Sequence, residues 1–248
     1  MLLVLEGVSK RYGETVALNG IDVAMSASHV HTVLGENGSG KSTLVKLLSG
    51  VVRPDSGAIR LDSQNVTLDR PAAARAHGIA TVFQEVLLAP ARTVLDNIFL
   101  GHDGLVTRDL PRRRRREVAE QVMASFARSM PDLDARGGEV PLAQQQLVVL
   151  ARALVRNPRI LILDEVTAAL DAVDRDLLFE ALRTFVAGGR LVLFISHRLD
   201  EVRRLSDRVT VLRNGSAVET LDRDQITSEA LLRLMIPDAK LRVHGIDA

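Results

Sequence analysis

Short apolar runs recur along the chain at residues 30–34, 79–83, 160–163, 191–195 and 209–212. Several are apolar at consecutive positions, the mark of strands covered on both faces in a largely parallel sheet. Helical patterns separate them. Residues 41–48 follow a glycine-rich stretch, and Leu147, Leu150, Ala151, Leu154 and Val155 recur at i, i+3, i+4, i+7 and i+8, which predicts one buried helix face. This alternation predicts an α/β fold. Residues 2–8, 15–23 and 58–61 predict antiparallel strands instead, flanked by the turn signals Tyr12-Gly13 and Pro54-Asp55-Ser56-Gly57. From about residue 93 to residue 138 no strand pattern is present, and a helical insertion into the α/β core is predicted.

Composition narrows the class. The chain has 248 residues, 46% hydrophobic and 25% charged, which fits one large globular domain or a core with an inserted subdomain and excludes disordered or fibrous structure. Thirty-two basic against 31 acidic residues leave a net charge of +1, so no global field calls for nucleic acid and none is expected as a partner. The absence of cysteine excludes disulfides and thiolate metal sites, and fits a reducing compartment. No apolar run approaches the roughly 20 residues that span a bilayer, and the opening MLLVLEGVSKRYG reads as a strand, without a signal peptide's basic start or cleavage site. Six Phe, one Tyr and no Trp predict an aliphatic core.

The first strong chemical signal follows the run 30–34. Gly35, Glu36, Asn37, Gly38, Ser39, Gly40, Lys41, Ser42 and Thr43 satisfy G-x-x-x-x-G-K-[ST] in full, between a strand and a helix. Polyphosphate needs many close donors, and glycines let successive backbone N–H groups turn inward. The helix adds its positive end, Lys41 reaches the terminal phosphates and the Ser42 hydroxyl can ligate Mg²⁺. Downstream, the run 160–163 ends in Asp164-Glu165. A parallel strand delivers its C-terminal residues to the sheet edge that carries the phosphate loop. Asp164 is then placed for Mg²⁺ and Glu165 as general base toward water.

With these motifs on the page, the sequence resembles the ATPase cassette of ABC transporters over nearly its whole length. Gln84 in TVFQE resembles the family's Q-loop, whose glutamine touches Mg²⁺ and reports nucleotide state to the membrane subunits. His197 in FISHR resembles the switch histidine at the γ-phosphate, Ala169-Leu170-Asp171 the D-loop, and Tyr12 the aromatic that stacks on adenine. Taken singly, Gln84 reads as a strand-end cap and His197 as a helix start; in this order and spacing the family reading is preferred. LGENGSGKST, LSGVVRPDSG, NIFLG and ISHRLDEV together resemble cassettes of ribose, galactose and xylose importers. The resemblance implies a phosphate-loop NTPase core with an antiparallel β subdomain and a helical subdomain over about 93–158. It implies one cassette over 1–236 with a tail over 237–248, ATP and Mg²⁺ as ligands, and a membrane permease as partner at the inner face of the cell membrane. His29, His31, His77, His102 and His244 show no metal-ligand spacing.

The family signature LSGGQ falls on Val140-Pro141-Leu142-Ala143-Gln144, where only the glutamine survives. Pro141 lacks an N–H and Leu142 adds bulk where a partner's γ-phosphate would sit; Pro141 is acceptable as the first helical residue, so folding need not suffer. Val166 replaces a proline after Asp164-Glu165, and Ser28-His29 a glycine turn. The expectation is an intact hydrolytic half-site and a poor signature, hence a second cassette as partner, in a homodimer or, preferably, a heterodimer. Sugar importers of this type usually carry two cassettes in a chain about twice as long. A nucleotide-gated subunit that hydrolyses poorly is the alternative; a soluble DNA-repair or translation cassette would need a coiled-coil insertion or a second cassette in the same chain. The arginine run 112–116 reads as a solvated helix start that opposes the helix dipole and so needs acidic contacts. A turn at 213–216 and an amphipathic stretch through Leu231, Leu232, Leu234 and Met235, ended by Pro237, close the chain.

Overall fold

The computed structural model describes residues 1–102 and 110–236; the expected tail, with Pro237 and His244, lies outside them. In chain order the elements are β1 (Leu3–Tyr12), β2 (Thr15–Met25), β3 (His29–Leu34), α1 (Lys41–Leu48), β4 (Ser56–Leu61), β5 (Gln64–Asn65), α2 (Pro71–Ala76) and β6 (Ile79–Val82). Then follow α3 (Val94–Ile98), α4 (Arg112–Ala124), α5 (Leu142–Leu154), β7 (Ile160–Asp164), α6 (Ala172–Ala187), β8 (Leu191–Ser196), α7 (Leu199–Leu205), β9 (Arg208–Arg213), β10 (Ser216–Asp222) and α8 (Ser228–Met235).

Two sheets organise the chain. The larger runs β10-β9-β3-β8-β7-β6, with β3, β6, β7, β8 and β9 mutually parallel and β10 antiparallel at the edge. The smaller runs β2-β1-β4-β5 and is antiparallel. Both faces of the central strands are covered, and alternate residues serve different cores. Leu161, Leu163, Val192 and Phe194 pack with α3, α5 and α6, whereas Ile160, Ile162, Leu191 and Leu193 pack with α1 and the antiparallel sheet. That double coverage is why these runs read as continuously apolar. No helix among the described residues is long and apolar enough to cross a membrane.

Between β6 and β7 the described elements are helices, apart from one isolated bridge, Thr93 to Arg136. Here one expectation needs correction. Arg115 is buried, at 2% exposure, instead of solvated: it begins the stripe Arg115, Ala119, Met123 at four-residue spacing, the buried face of α4. Its guanidinium lies over the Phe99 ring at 5.1 Å and its Nε donates to Leu110 O at 2.9 Å. The other four arginines meet the acidic groups that the dipole argument required, Glu117, Glu120 and Asp134. Pro141 is the N-cap of α5, one position before the helix, with extended backbone (φ −56°, ψ 152°); a fixed φ near −65° suits either position, and α5 begins at Leu142.

Candidate nucleotide site

Four neighbouring parallel strands, β3, β8, β7 and β6, end at one edge of the large sheet, with Leu34 level with Ser196, Asp164 with Ile195 and Val82 with Leu163. Chain continuity therefore sets the phosphate loop, His197, Glu165 and Gln84 side by side from four separate parts of the sequence. They line one cavity of about 940 Å³ with Thr15, Val16 and Ala17 from β2 and Met235 from α8.

The loop has almost no slack. A Cβ on Gly35 would overlap the Leu212 carbonyl and Ser39 Oγ, and Gly40, at φ 108°, would meet the Ala17 carbonyl. Ser39 Oγ is buried there without a hydrogen-bond partner. Lys41 Nζ donates to Gly35 O at 2.8 Å and Glu36 O at 2.9 Å, which pins the ammonium across the loop. Burial lowers its pKa, against the attraction of Glu165 and Asp164. The uncapped start of α1 turns its N–H groups toward the same space. A tight cradle, an orphaned hydroxyl and a fixed cation together suit a polyphosphate.

Glu165 links the acid–base groups. Its Oε1 is 3.0 Å from His197 Nδ1, and its Oε2 accepts from Gln84 Nε2 at 3.4 Å. Glu165 also adopts a left-handed backbone, φ 50° and ψ 33°, a conformation that costs a non-glycine residue about 1 kcal/mol or more. Its N–H donates to Ile195 O at 3.1 Å, which ties this turn to the end of β8. Asp164 is buried beside it. Burial pushes its carboxyl up to about 6, the Glu165 charge adds to the rise, and Lys41 and Lys46 oppose it.

Not every expected residue lies on the cavity wall. Asp164 and Ser39 sit just behind it, buried. Tyr12 is 45% exposed at the β1–β2 hairpin, with Lys10 Nζ 5.8 Å from its ring centre, and is outside the lining. Asp171 caps α6 by accepting from Asp174 N at 2.8 Å. Among the described residues no three His, Asp or Glu side chains form a ready metal cage; a Mg²⁺ ion held by one or two oxygen ligands plus substrate phosphates needs none, and Ser42, Gln84 and Asp164 are oxygen donors of that kind.

Sequence reasoning missed a hub below Gln84. Buried Asn97 of α3 donates from Nδ2 to Ala89 O, Arg92 O and Thr93 O, and its Oδ1 accepts from Ala89 N. Arg152 of α5 donates to Asn97 O at 2.8 Å and Leu87 O at 2.9 Å. Together they fix the segment after Gln84 to the helices. A second cavity, about 270 Å³, opens beside it, lined by Ile79, Phe83 and Val149 together with Arg75, Arg152 and Arg156.

Fold and site together define a phosphate-loop nucleotide-binding protein of the α/β class. The chain belongs to the ABC transporter family, whose model matches residues 18–168, and so carries that family's ATP-binding cassette. It is 43% identical over 95% of its length to a ribose import ATP-binding protein RbsA 1 of Rhizobium johnstonii, and 42% identical over 94% to RbsA 3 of Rubrobacter xylanophilus. It spans about half of those proteins, 46% and 47%. Among solved structures it is similar to the ADP conformation of an ABC transporter's ATP-binding cassette, with TM-score 0.80 and 26% identity, covering 94% of this chain and 97% of the other. A dimeric bacterial ABC transporter cassette gives TM-score 0.81 and 25% identity, covering 90% and 99%.

Proposed function

We propose that this chain hydrolyses ATP to ADP and phosphate, with Mg²⁺, and couples that reaction to import of a sugar through a membrane permease. The observation that carries the reading is Glu165, whose two carboxylate oxygens face His197 and Gln84 beside the phosphate loop. Glu165 orients the attacking water and accepts its proton, and His197 holds that carboxylate in place. Lys41 and the loop N–H groups bind the phosphates. Ser42, Gln84 and Asp164 would hold Mg²⁺, which supplies neutralisation of phosphate charge; Asp164, with its pKa near 6, is chiefly a carboxylate at neutral pH. Tyr12, on the hairpin whose neighbours line the cavity, is assigned to adenine, and Asp171 to the contact with a second cassette.

In this reading residues 1–236 form one cassette with the helices of about 93–158 as its inserted subdomain, seated at the inner face of the cell membrane. The apolar second cavity with its three guanidinium groups is assigned to the permease. The second cassette is a different chain or segment with an intact signature. What favours this is α5: it starts without a side-chain cap, Pro141 has no N–H to offer, and Leu142 is 60% exposed. The same observation favours, as the second reading, a subunit that binds ATP and hydrolyses it poorly. Steady-state ATP turnover of the purified chain, alone and with a signature-bearing cassette, separates them. Turnover that rises on mixing and vanishes with Glu165→Gln supports the first; binding without turnover in both arms supports the second.

A further inference from the structure

Glu201, on α7, is fully buried, and the hydrolytic mechanism above makes no use of it. Its Oε2 accepts from Thr167 Oγ1 at 2.9 Å and from Ser196 Oγ at 3.0 Å, and its Oε1 accepts from Arg198 Nη1 at 3.2 Å. Ser196 Oγ in turn accepts from Arg198 N at 3.1 Å. Thr167 stands two residues beyond Glu165, and Ser196 and Arg198 flank His197. One carboxylate thus grips both backbone segments from which the Glu165–His197 pair projects.

We infer that Glu201 is a positioning residue for hydrolysis, setting the distance between Glu165 and His197 through Thr167, Ser196 and Arg198. The inference rests on the hydrolytic reading above. Two features argue for a purpose beyond stability. A buried carboxylate carries a desolvation cost that its partners must offset, and an apolar side chain of similar size would hold α7 without it. His197 meanwhile is half-exposed and has little packing of its own to fix it. A partner that must be placed within a few tenths of an ångström, on a loop that packing does not hold, needs an anchor in the layer beneath.

Glu201→Gln keeps the shape but removes the charge and replaces one acceptor oxygen with a donor: the remaining oxygen can accept from Thr167 and Ser196 only by setting the new amide N–H groups against the Arg198 guanidinium, so the grip on the His197 segment weakens. The expected result is a kcat lower by about 10- to 100-fold with ATP affinity, read by fluorescent-nucleotide titration, within about 2-fold of wild type. Amide hydrogen exchange should quicken at residues 165–170 and 196–199 together. Thr167→Val and Ser196→Ala, which leave the Glu201 charge in place, should give smaller losses of the same kind, and keep the test available if Glu201→Gln does not fold. In a His197→Ala background Glu201→Gln should cost less than about 2-fold, because its effect runs through that pair. An unchanged kcat, exchange that quickens in α7 alone, or a full additional loss on top of His197→Ala overturns the inference. Glu165→Gln, measured in parallel, tests the hydrolytic reading separately: turnover that survives it sinks that reading, whatever Glu201 does.

Discussion

The cassette carries two functional ends built in opposite ways. At the ends of β3, β8, β7 and β6 the charged groups have defined places: Lys41 on two carbonyls, Glu165 between His197 and Gln84, Asp164 buried behind them. At the start of α5 the helix emerges from Pro141 uncapped, with Leu142 in solvent. A site that must do chemistry in place needs a preorganised interior. A surface that closes over another molecule's phosphate needs donors pointing outward, and the start of α5 offers neither a side-chain hydroxyl nor an N–H at Pro141 and presents an isobutyl group at Leu142. In the proposed reading the first end hosts a nucleotide and the second is the lid offered to a partner's, and the difference predicts a good host and a poor lid.

The largest effect expected is at the host end. Glu165→Gln should lower turnover by about 10²- to 10⁴-fold while nucleotide still binds, since the phosphate loop is untouched; a comparable loss of affinity would show that Glu165 binds nucleotide more than it activates water. The lid end can be sharpened by gain. Restoring the signature with Val140→Leu, Pro141→Ser, Leu142→Gly and Ala143→Gly should raise turnover of the chain alone by about 10-fold or more, given that one preorganised donor is worth about 10² to 10³. Turnover that stays flat after this change would erase the contrast between the two ends. Between these ends sits the Asn97–Arg152 hub. Asn97→Ala strands Ala89 and Arg92 backbone groups and should destabilise the fold by about 1–3 kcal/mol by denaturant unfolding, while loosening residues 85–92 in hydrogen exchange.

The host end was legible because its chemistry is written locally. The phosphate loop is nine consecutive residues, and the apolar runs before Gly35, Asp164 and His197 are strands buried on both faces. What the sequence does not carry is the neighbour relation β3-β8-β7-β6, which brings those ends together. Glu201, Asn97 and Arg152 were invisible as site residues because the contacts that tie them to the site, to Thr167, Ala89 and Asn97, lie 34, 8 and 55 positions away and their type alone suggests a solvated surface. Strand β10 gave no signal: an edge strand with three of its seven residues exposed and only Leu221 buried keeps no apolar alternation. Arg115 misled for the opposite reason, since a charge run hides the four-residue spacing that buries one member.

Acid titration distinguishes the buried charge of the host end from the rest of the sheet. Asp164 has a folded pKa near 6 against an ordinary 3.8, so the folded state binds its proton more tightly: its contribution is favourable below about pH 4 and is lost as pH rises through 6. Asp164→Asn should therefore raise the melting temperature by a few degrees at pH 7.5, and the gain should shrink as pH falls below 6. Buried His31, with its pKa near 3 because burial disfavours the cation, runs the other way and costs stability as pH falls below about 6.5. The two oppose each other between about pH 6 and 4, so the variant should show a steeper acid limb than wild type. A gain that is the same at pH 5 and 7.5 would mean that Asp164 is not charged at a cost.

The smallest effect expected is on the arginine run, and it tests whether burial or charge makes a residue matter here. Arg113 is 93% exposed and pairs with Glu117 at 3.2 Å, a geometry worth little in water. Arg113→Gln with Arg114→Gln also removes two cations from the positive end of α4, which relieves dipole repulsion while giving up the pairs. The two changes nearly cancel, so melting temperature should stay within about 1 °C of wild type and nucleotide affinity should not move. A clear drop in melting temperature would show that the exposed arginines do structural work of the kind Arg115 does over Phe99.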